Sequence, residues 1–115
     1  LGGRVSIRTA SEHDEIVAAI SHLPHLVAAS LVQTVMQPDH GITEFAGGGF
    51  RDTTRVAGGP EEMWAGILMD NQEAVSKHLG RLIQDLENWK GTLDSLDRDQ
   101  LRAFLSEARK LRESL

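Results

Sequence analysis

The fold is decided by residues 75–93, VSKHLGRLIQDLENWKGTL. Apolar side chains in this stretch recur every three or four residues and form one face of a long helix. That face would be roughly 27 Å long at ~1.5 Å per residue, which is more than the core of one short domain needs. The pattern therefore predicts a helix that pairs with a second copy of the chain. Its apolar positions are Val75, Leu79, Leu82, Leu86, Trp89 and Leu93.

The N-terminal third carries a second long helical pattern. Thr9 and Ser11 can cap the start of a helix whose apolar periodicity runs to about Met36. Pro24 lies in the middle and predicts a kink, because proline removes a backbone donor and clashes with the preceding turn. Before this helix, residues 4–8 alternate polar and apolar side chains and predict one short strand without a partner in the chain.

The helical pattern breaks between Pro38 and Pro60, where we predict a glycine-rich loop with one or two helical turns at residues 50–57. Pro60 then begins the helix of the long apolar face, and Asp97 with Gln100 begins the last helix as a capping box. The sequence thus predicts an all-α bundle of about three main helices. We expect it to form an intertwined homodimer.

The composition limits the class of protein. The chain has 115 residues and a net charge of −5, so no overall positive field favours nucleic acid or anionic lipid. It has no cysteine, which excludes a disulfide framework, a thiolate zinc site and a cysteine nucleophile. No apolar run approaches the length of a membrane span and no signal peptide is evident, so we expect a cytoplasmic protein. An opening at Leu1 directly before the strand indicates a fragment of a longer protein.

A first candidate site is Ser21-His22-Leu23-Pro24-His25, in which two histidines share one helical face. The ordinary interpretation is that one histidine bonds a carbonyl freed by the proline and the other is solvated. A metal site would need a third ligand, and His13 and Glu15 lie about two turns away. The crowding of polar and ring-bearing side chains around the proline favours a ligand site.

A second candidate site is Gly47-Gly48-Gly49-Phe50-Arg51-Asp52-Thr53-Thr54-Arg55. Glycines permit close backbone approach and present N–H groups to an anion. Arg51 and Arg55 share a face beside Asp52, and an arginine fork can bind a carboxylate through two parallel N–H groups. A solvated loop with an Arg–Asp pair is the alternative. The two arginines that follow the glycines favour an anion site.

Four motifs, taken in order, resemble the C-terminal half of the prephenate dehydrogenase family. The resemblance covers the chain to about Trp89, and the second and third motifs are specific in order and spacing. The motifs are His13-Asp14, Ser21-His22-Leu23-Pro24-His25, Gly48-Gly49-Phe50-Arg51-Asp52-Thr53-Thr54-Arg55 and Pro60-x-x-Met63-Trp64.

The resemblance implies a helical dimerisation and substrate-binding domain, residues 9–115, after a Rossmann domain that binds NAD or NADP. Residues 1–8 would be the last strand of that domain. Such enzymes oxidatively decarboxylate prephenate to 4-hydroxyphenylpyruvate in tyrosine biosynthesis, and a histidine of the Rossmann domain accepts the hydroxyl proton. This chain has no Gly-x-Gly-x-x-Gly sequence and lacks the region of that histidine. We therefore expect no catalytic, cofactor or metal site in it, and no turnover by the chain alone.

The resemblance also implies roles for individual residues. Arg55 would hold a substrate carboxylate, His25 would contact the substrate, and Arg51 occupies a basic position of the glycine loop. The residues that would line or support the pocket are Ser21, Gly48, Asp52, Met63 and Trp64.

Several alternatives stay open at this point. The substrate could be prephenate or arogenate, the cofactor NAD or NADP, and a regulatory domain could follow Leu115. From other classes of function, the chain could be a free-standing helical interaction module, or a metal sensor that uses His22 and His25.

Overall fold

The computed structural model describes residues 9–37, 45 and 47–115, and these residues contain α-helices but no strand. The predicted all-α class is confirmed for this part of the chain, while the predicted strand at residues 4–8 lies outside the described residues. The helices are α1 (Ala10–Val17), α2 (Leu23–Met36), α3 (Gly48–Thr54), α4 (Glu61–Asp70), α5 (Gln72–Asp94) and α6 (Arg98–Glu113). A π-helical turn (Ala18–His22) follows α1, and a 3-10 turn (Arg55–Gly58) follows α3.

Two helix starts lie where the capping residues predict them. The hydroxyl of Thr9 accepts a hydrogen bond from the backbone N–H of Glu12 at 3.0 Å and begins α1. The carboxylate of Asp97 accepts one from the N–H of Gln100, also at 3.0 Å, and begins α6. Both caps satisfy backbone donors that have no partner inside the helix.

The helix predicted to kink at Pro24 contains a π-helical turn immediately before that residue. In this turn the N–H of Leu23 donates to the carbonyl of Ala18, which is the wider π spacing. Pro24 has no N–H to donate to the carbonyl of Ile20, so a regular α-helix could not have continued here without losing a bond. The irregularity therefore falls within the histidine motif.

The helical run Ala10–Met36 is long and apolar enough to cross a membrane, by length and composition alone. The expectation that no such run exists is wrong, because residues 16–36 contain serine, histidine and proline but no Asp, Glu, Lys or Arg. The same run supplies Ala18, His25 and Ala28 to the buried interior. Only 17% of its apolar 18-residue window is buried within the single chain, so much of this apolar surface is left uncovered there.

The long helix predicted from Pro60 onward is divided in two. It ends at Asp70 and starts again at Gln72, with Asn71 between the two helices in a non-helical conformation. The apolar periodicity continues across the break, which is why the sequence pattern predicted one helix. The break frees the Asn71 side chain to bond to other elements, as described below.

The chain divides into two compact units, Ile7–His78 and a unit that includes Leu79–Leu115. In the first, Ala18 packs with Ala74 and Val75 of α5 in the core. The partly buried Leu26 and Leu68 surround them. In this unit α2 also packs against α3 and the 3-10 turn, which brings the two candidate sites of the sequence together.

In the second unit, the rings of Trp89 and Phe104 meet edge to face with centroids 5.1 Å apart. Leu86 and Leu93, two positions of the predicted apolar face, are 55% and 54% exposed in the single chain. This part of the face is therefore left uncovered by the unit itself.

Candidate functional site

The centre of the candidate site is a ring pair between α2 and α4. The imidazole of His25 stacks on the indole of Trp64 with centroids 3.7 Å apart and planes at 11°. His25 is buried, yet its ring makes no hydrogen bond among the described residues. Among the described residues no buried side-chain nitrogen or oxygen is left without a partner, so the unbonded ring nitrogens of His25 are accessible and could contact a ligand.

His22 approaches the same indole from another direction. Its ring meets that of Trp64 edge to face, with centroids 6.2 Å apart and planes at 84°. The π-helical turn ends at His22, and α2 begins with the next residue. The two histidines of the motif thus both contact Trp64, one on its face and one at an edge.

Gly59 lies directly behind this pair. A Cβ atom at Gly59 would lie 2.9 Å from Nε1 of Trp64, closer than Cβ atoms come in real structures, and 3.2 Å from Cε1 of His25, which is a tight contact. At Gly58 the same atom would meet nothing within 4 Å. The stack therefore requires glycine at position 59, but not at position 58, for steric reasons. Sequence reasoning missed this requirement.

The arginine motif forms α3 and the 3-10 turn, so the helical turns predicted at residues 50–57 are confirmed, with a start at Gly48. The hydroxyl of Thr54, which is buried, donates to the carbonyl of Phe50 at 2.6 Å and fastens the end of α3. Arg55, at the start of the 3-10 turn, is exposed and forms no ion pair among the described residues. Its guanidinium is accordingly available to an anion.

The glycines of this motif have ordinary backbone conformations. The first of them, Gly47, has extended backbone at the start of α3, and none of the three has a positive φ. Gly48 and Gly49 form the first helical turn instead, with open space where their side chains would be. The backbone at these positions therefore does not require glycine, and the space beside the three residues is open to another molecule.

Three other predicted site residues lie at the surface. Ser21 and Asp52 are exposed, and Met63 is 52% exposed. In the described part of the chain none of these three side chains forms a hydrogen bond or ion pair. The alternative of an Arg55–Asp52 pair holding the loop is thus not seen there.

Asn71 is a site residue that the sequence reasoning missed. Its side-chain amide donates to the backbone carbonyl of Asp14 at 2.8 Å and lies 3.3 Å from Nδ1 of His22. The signal that could have found it is the Asp70-Asn71 pair, since both residue types are favoured outside helix interiors.

A separate polar cluster joins α1 to α5. Glu15 accepts hydrogen bonds from Lys77 at 3.1 Å and from His78 at 2.9 Å. These bonds, that from Lys77 first, hold the pKa of the Glu15 carboxyl below its ordinary value of 4.5. The cluster fixes one helix to the other. Over residues 9–37 and 47–115, no three His, Asp or Glu side chains come together as a metal-binding group.

Comparison with known proteins gives the class to which this fold belongs. Residues 9–107 match the sequence profile of the family described as prephenate dehydrogenase, dimerization domain. A cyclohexadienyl dehydrogenase from Zymomonas mobilis is 34% identical over 119 aligned residues, which cover 100% of this chain and 41% of that protein. A prephenate dehydrogenase from Bacillus subtilis is 33% identical over 107, covering 90% of this chain and 29% of the relative.

Solved structures agree. Arogenate dehydrogenase from Synechocystis superposes with a TM-score of 0.90 at 31% identity, over 98% of this chain and 42% of that one. Prephenate dehydrogenase from A. aeolicus, in complex with hydroxyphenyl propionate and NAD+, superposes with a TM-score of 0.86 at 32% identity. The match covers 98% of this chain and 41% of that one. The chain belongs to the prephenate dehydrogenase dimerization-domain family. It spans 41% or less of the length of the two relatives given above.

Proposed function

We propose that the chain is the substrate-binding and dimerisation half of a prephenate dehydrogenase, acting in tyrosine biosynthesis. The observation that carries the proposal is the stack of His25 on Trp64, on a helix that packs against the turn bearing Arg55. The whole enzyme would oxidise prephenate with loss of carbon dioxide. Residues 9–115 would form its helical domain, and residues 1–8 would be the last strand of a preceding nucleotide-binding domain.

In this proposal the chain binds prephenate, a dianion with two carboxylates, although its own net charge is −5. Local positive charge must therefore attract the substrate, and Arg55 is exposed and without an ion pair among the described residues. A guanidinium can hold a carboxylate through two parallel hydrogen bonds. His25, with no hydrogen bond to the described residues, would supply a second polar contact beside the indole of Trp64.

Hydride transfer to NAD or NADP is assigned to the other domain. This chain has no Gly-x-Gly-x-x-Gly sequence, so its residues do not fit the pyrophosphate of a dinucleotide in the usual way. No step of that transfer is assigned to this chain. Its own part is to bind and orient the acid.

We further propose that the domain forms a homodimer. Exposed leucines of α5 and α6 and the apolar run Ala10–Met36 leave more apolar surface uncovered than a monomer usually carries. A symmetric pairing would cover that surface with one repeated contact. The family is described as a dimerization domain, which supports the same conclusion.

Arogenate is the second candidate substrate, because the Synechocystis relative that superposes at a TM-score of 0.90 is an arogenate dehydrogenase. The test is steady-state kinetics of the intact enzyme with prephenate and with arogenate, each with NAD and with NADP. We expect the highest kcat/KM with prephenate. A preference for arogenate would favour the second candidate, and no turnover of either acid would contradict the proposed function.

A further inference from the structure

The side chain of Asn71 joins three elements at one point. It leaves the break between α4 and α5, donates to the carbonyl of Asp14 on α1, and lies 3.3 Å from Nδ1 of His22 at the end of the π turn. An amide nitrogen carries two hydrogens, and these two contacts use both. The amide thus connects the helix break to the histidine motif.

The contact with Asp14 decides which way the amide faces. A backbone carbonyl only accepts hydrogen bonds, so the atom 2.8 Å from it must be the nitrogen and not the oxygen of Asn71. The same nitrogen faces His22. Because that nitrogen only donates, Nδ1 of His22 must accept, and in a neutral ring the proton then lies on Nε2.

Nε2 of His22 has no hydrogen-bond partner within residues 9–37, 45 and 47–115. The ring is half-buried and lies against the edge of Trp64, whose face carries His25. A donor held in one tautomer at this place suits an acceptor oxygen of a bound acid, since carboxylates only accept.

We propose that Asn71 is a positioning residue of the ligand site. Asn71 holds His22 in the tautomer with Nδ1 unprotonated, so that Nε2–H of His22 donates to the bound acid. The donor role rests on the proposed function, while the tautomer does not. Asn71 itself does not touch the acid and acts through His22.

The tautomer is measured first, on the 15N-labelled chain without ligand, from long-range proton–nitrogen correlations of the imidazole rings. His22→Gln identifies the His22 signals by their loss. We expect an unprotonated Nδ1 in the unmodified chain. Asn71→Asp replaces the donor by an acceptor and should move the proton to Nδ1. Gln72→Glu makes the same change of amide to acid one residue further on and should leave the pattern unchanged.

Two results would overturn the assignment. One is a protonated Nδ1 in the unmodified chain, which decides the matter even if Asn71→Asp does not fold. The other is a folded Asn71→Asp chain whose His22 pattern equals that of Gln72→Glu. If Asn71 had only a structural role, Asn71→Asp would lower the melting temperature but would not move the proton of the His22 ring.

The donor role is tested in the intact enzyme. We expect Asn71→Asp to raise the KM for prephenate about tenfold, as for the loss of one hydrogen bond to a charged group. In a His22→Gln background the glutamine amide keeps a donor near the place of Nε2, and Asn71→Asp should then have little effect on KM. Equal effects in both backgrounds would overturn the donor role. An enzyme that turns over neither prephenate nor arogenate contradicts the proposed function and this role with it, whereas the ligand-free tautomer still decides how Asn71 acts.

Discussion

The imidazole of His25 lies flat against the indole of Trp64, at 3.7 Å between centroids and 11° between planes. This contact joins α2 to α4. Because Gly59 closes the space behind both rings, the geometry of the stack depends on a residue that contributes no side chain.

The first prediction concerns that glycine. Gly59→Ala would place a methyl group 2.9 Å from Nε1 of Trp64, so one of the rings must move. Overpacking of this kind costs about 1–3 kcal/mol of unfolding free energy. We expect a lower melting temperature and a changed near-ultraviolet circular dichroism signal.

The matched control is Gly58→Ala, where the added methyl group meets nothing within 4 Å. Neither glycine has a positive φ, so backbone strain does not distinguish them. Equal effects of the two variants on both measurements would show that the steric account of Gly59 is wrong.

The sequence predicted the features that depend on local chemistry. The caps at Thr9 and Asp97 need only a side-chain oxygen three residues before a free N–H, and both are confirmed. The disturbance near Pro24 is local for the same reason, although its π-helical form was not predicted.

Features that depend on distant contacts were not predicted from residue patterns. Stacking between His25 and Trp64 requires that side chains of α2 and α4 meet, and the sequence pattern indicated candidate residues but not this contact between them. The helix breaks at Asn71 although the apolar periodicity of the sequence continues across it. At the break the Asn71 amide bonds to Asp14 and contacts His22, both outside its own helix. Tertiary hydrogen bonds of this kind leave little trace in a periodicity.

A second prediction concerns pH. Since the folded protein lowers the pKa of Glu15, its ionised carboxylate stabilises the fold above the ordinary pKa of glutamate. That stabilisation is lost as the pH falls through the lowered value. We expect Glu15→Gln to reduce the melting temperature at pH 7 and to differ less from the unmodified chain in acid.

Glu87→Gln is the control for this experiment, because Glu87 is exposed and without a partner among the described residues. Denaturation curves at neutral pH and below pH 4.5 make the comparison. A Glu15→Gln deficit that is the same at both pH values would contradict the account.

The third prediction concerns the turn between α5 and α6. Leu96 has a φ of 55°, and its N–H and that of Asp97 bond to the carbonyls of Leu93 and Thr92, which is a Schellman ending. A left-handed conformation costs a residue with a side chain about 1–2 kcal/mol, and replacing that residue by glycine removes this cost. Glycine's greater freedom in the unfolded chain offsets part of the resulting gain in stability. Leu96→Gly should therefore stabilise the chain by about 0.5–1 kcal/mol in chemical denaturation.

Leu96→Ala removes the same exposed side chain but keeps the Cβ atom, so it should give no such gain. If alanine stabilises as much as glycine, the effect comes from loss of the exposed leucine and not from the backbone.

The fourth prediction concerns assembly. We expect the chain to sediment as a dimer at micromolar concentration. Leu86→Glu, on the exposed part of the apolar face, should shift it towards monomer while helical circular dichroism is kept. Gln84→Glu adds the same charge on the same helix and should not. A clean monomer of the unmodified chain would remove the argument from the apolar face.

The central claim is that Arg55 holds a carboxylate of the substrate, and the most direct measurement is kcat/KM for prephenate in the intact enzyme with Arg55→Ala. A hydrogen bond to a charged group contributes about 1.5–3 kcal/mol, so we predict a loss of roughly ten- to a hundredfold. Arg55→Lys keeps the charge but not the fork and should recover only part of the loss. Arg102→Ala, which removes an exposed arginine of α6, is the control. The account predicts this loss at an unchanged melting temperature, whereas a near-normal kcat/KM for Arg55→Ala would contradict it.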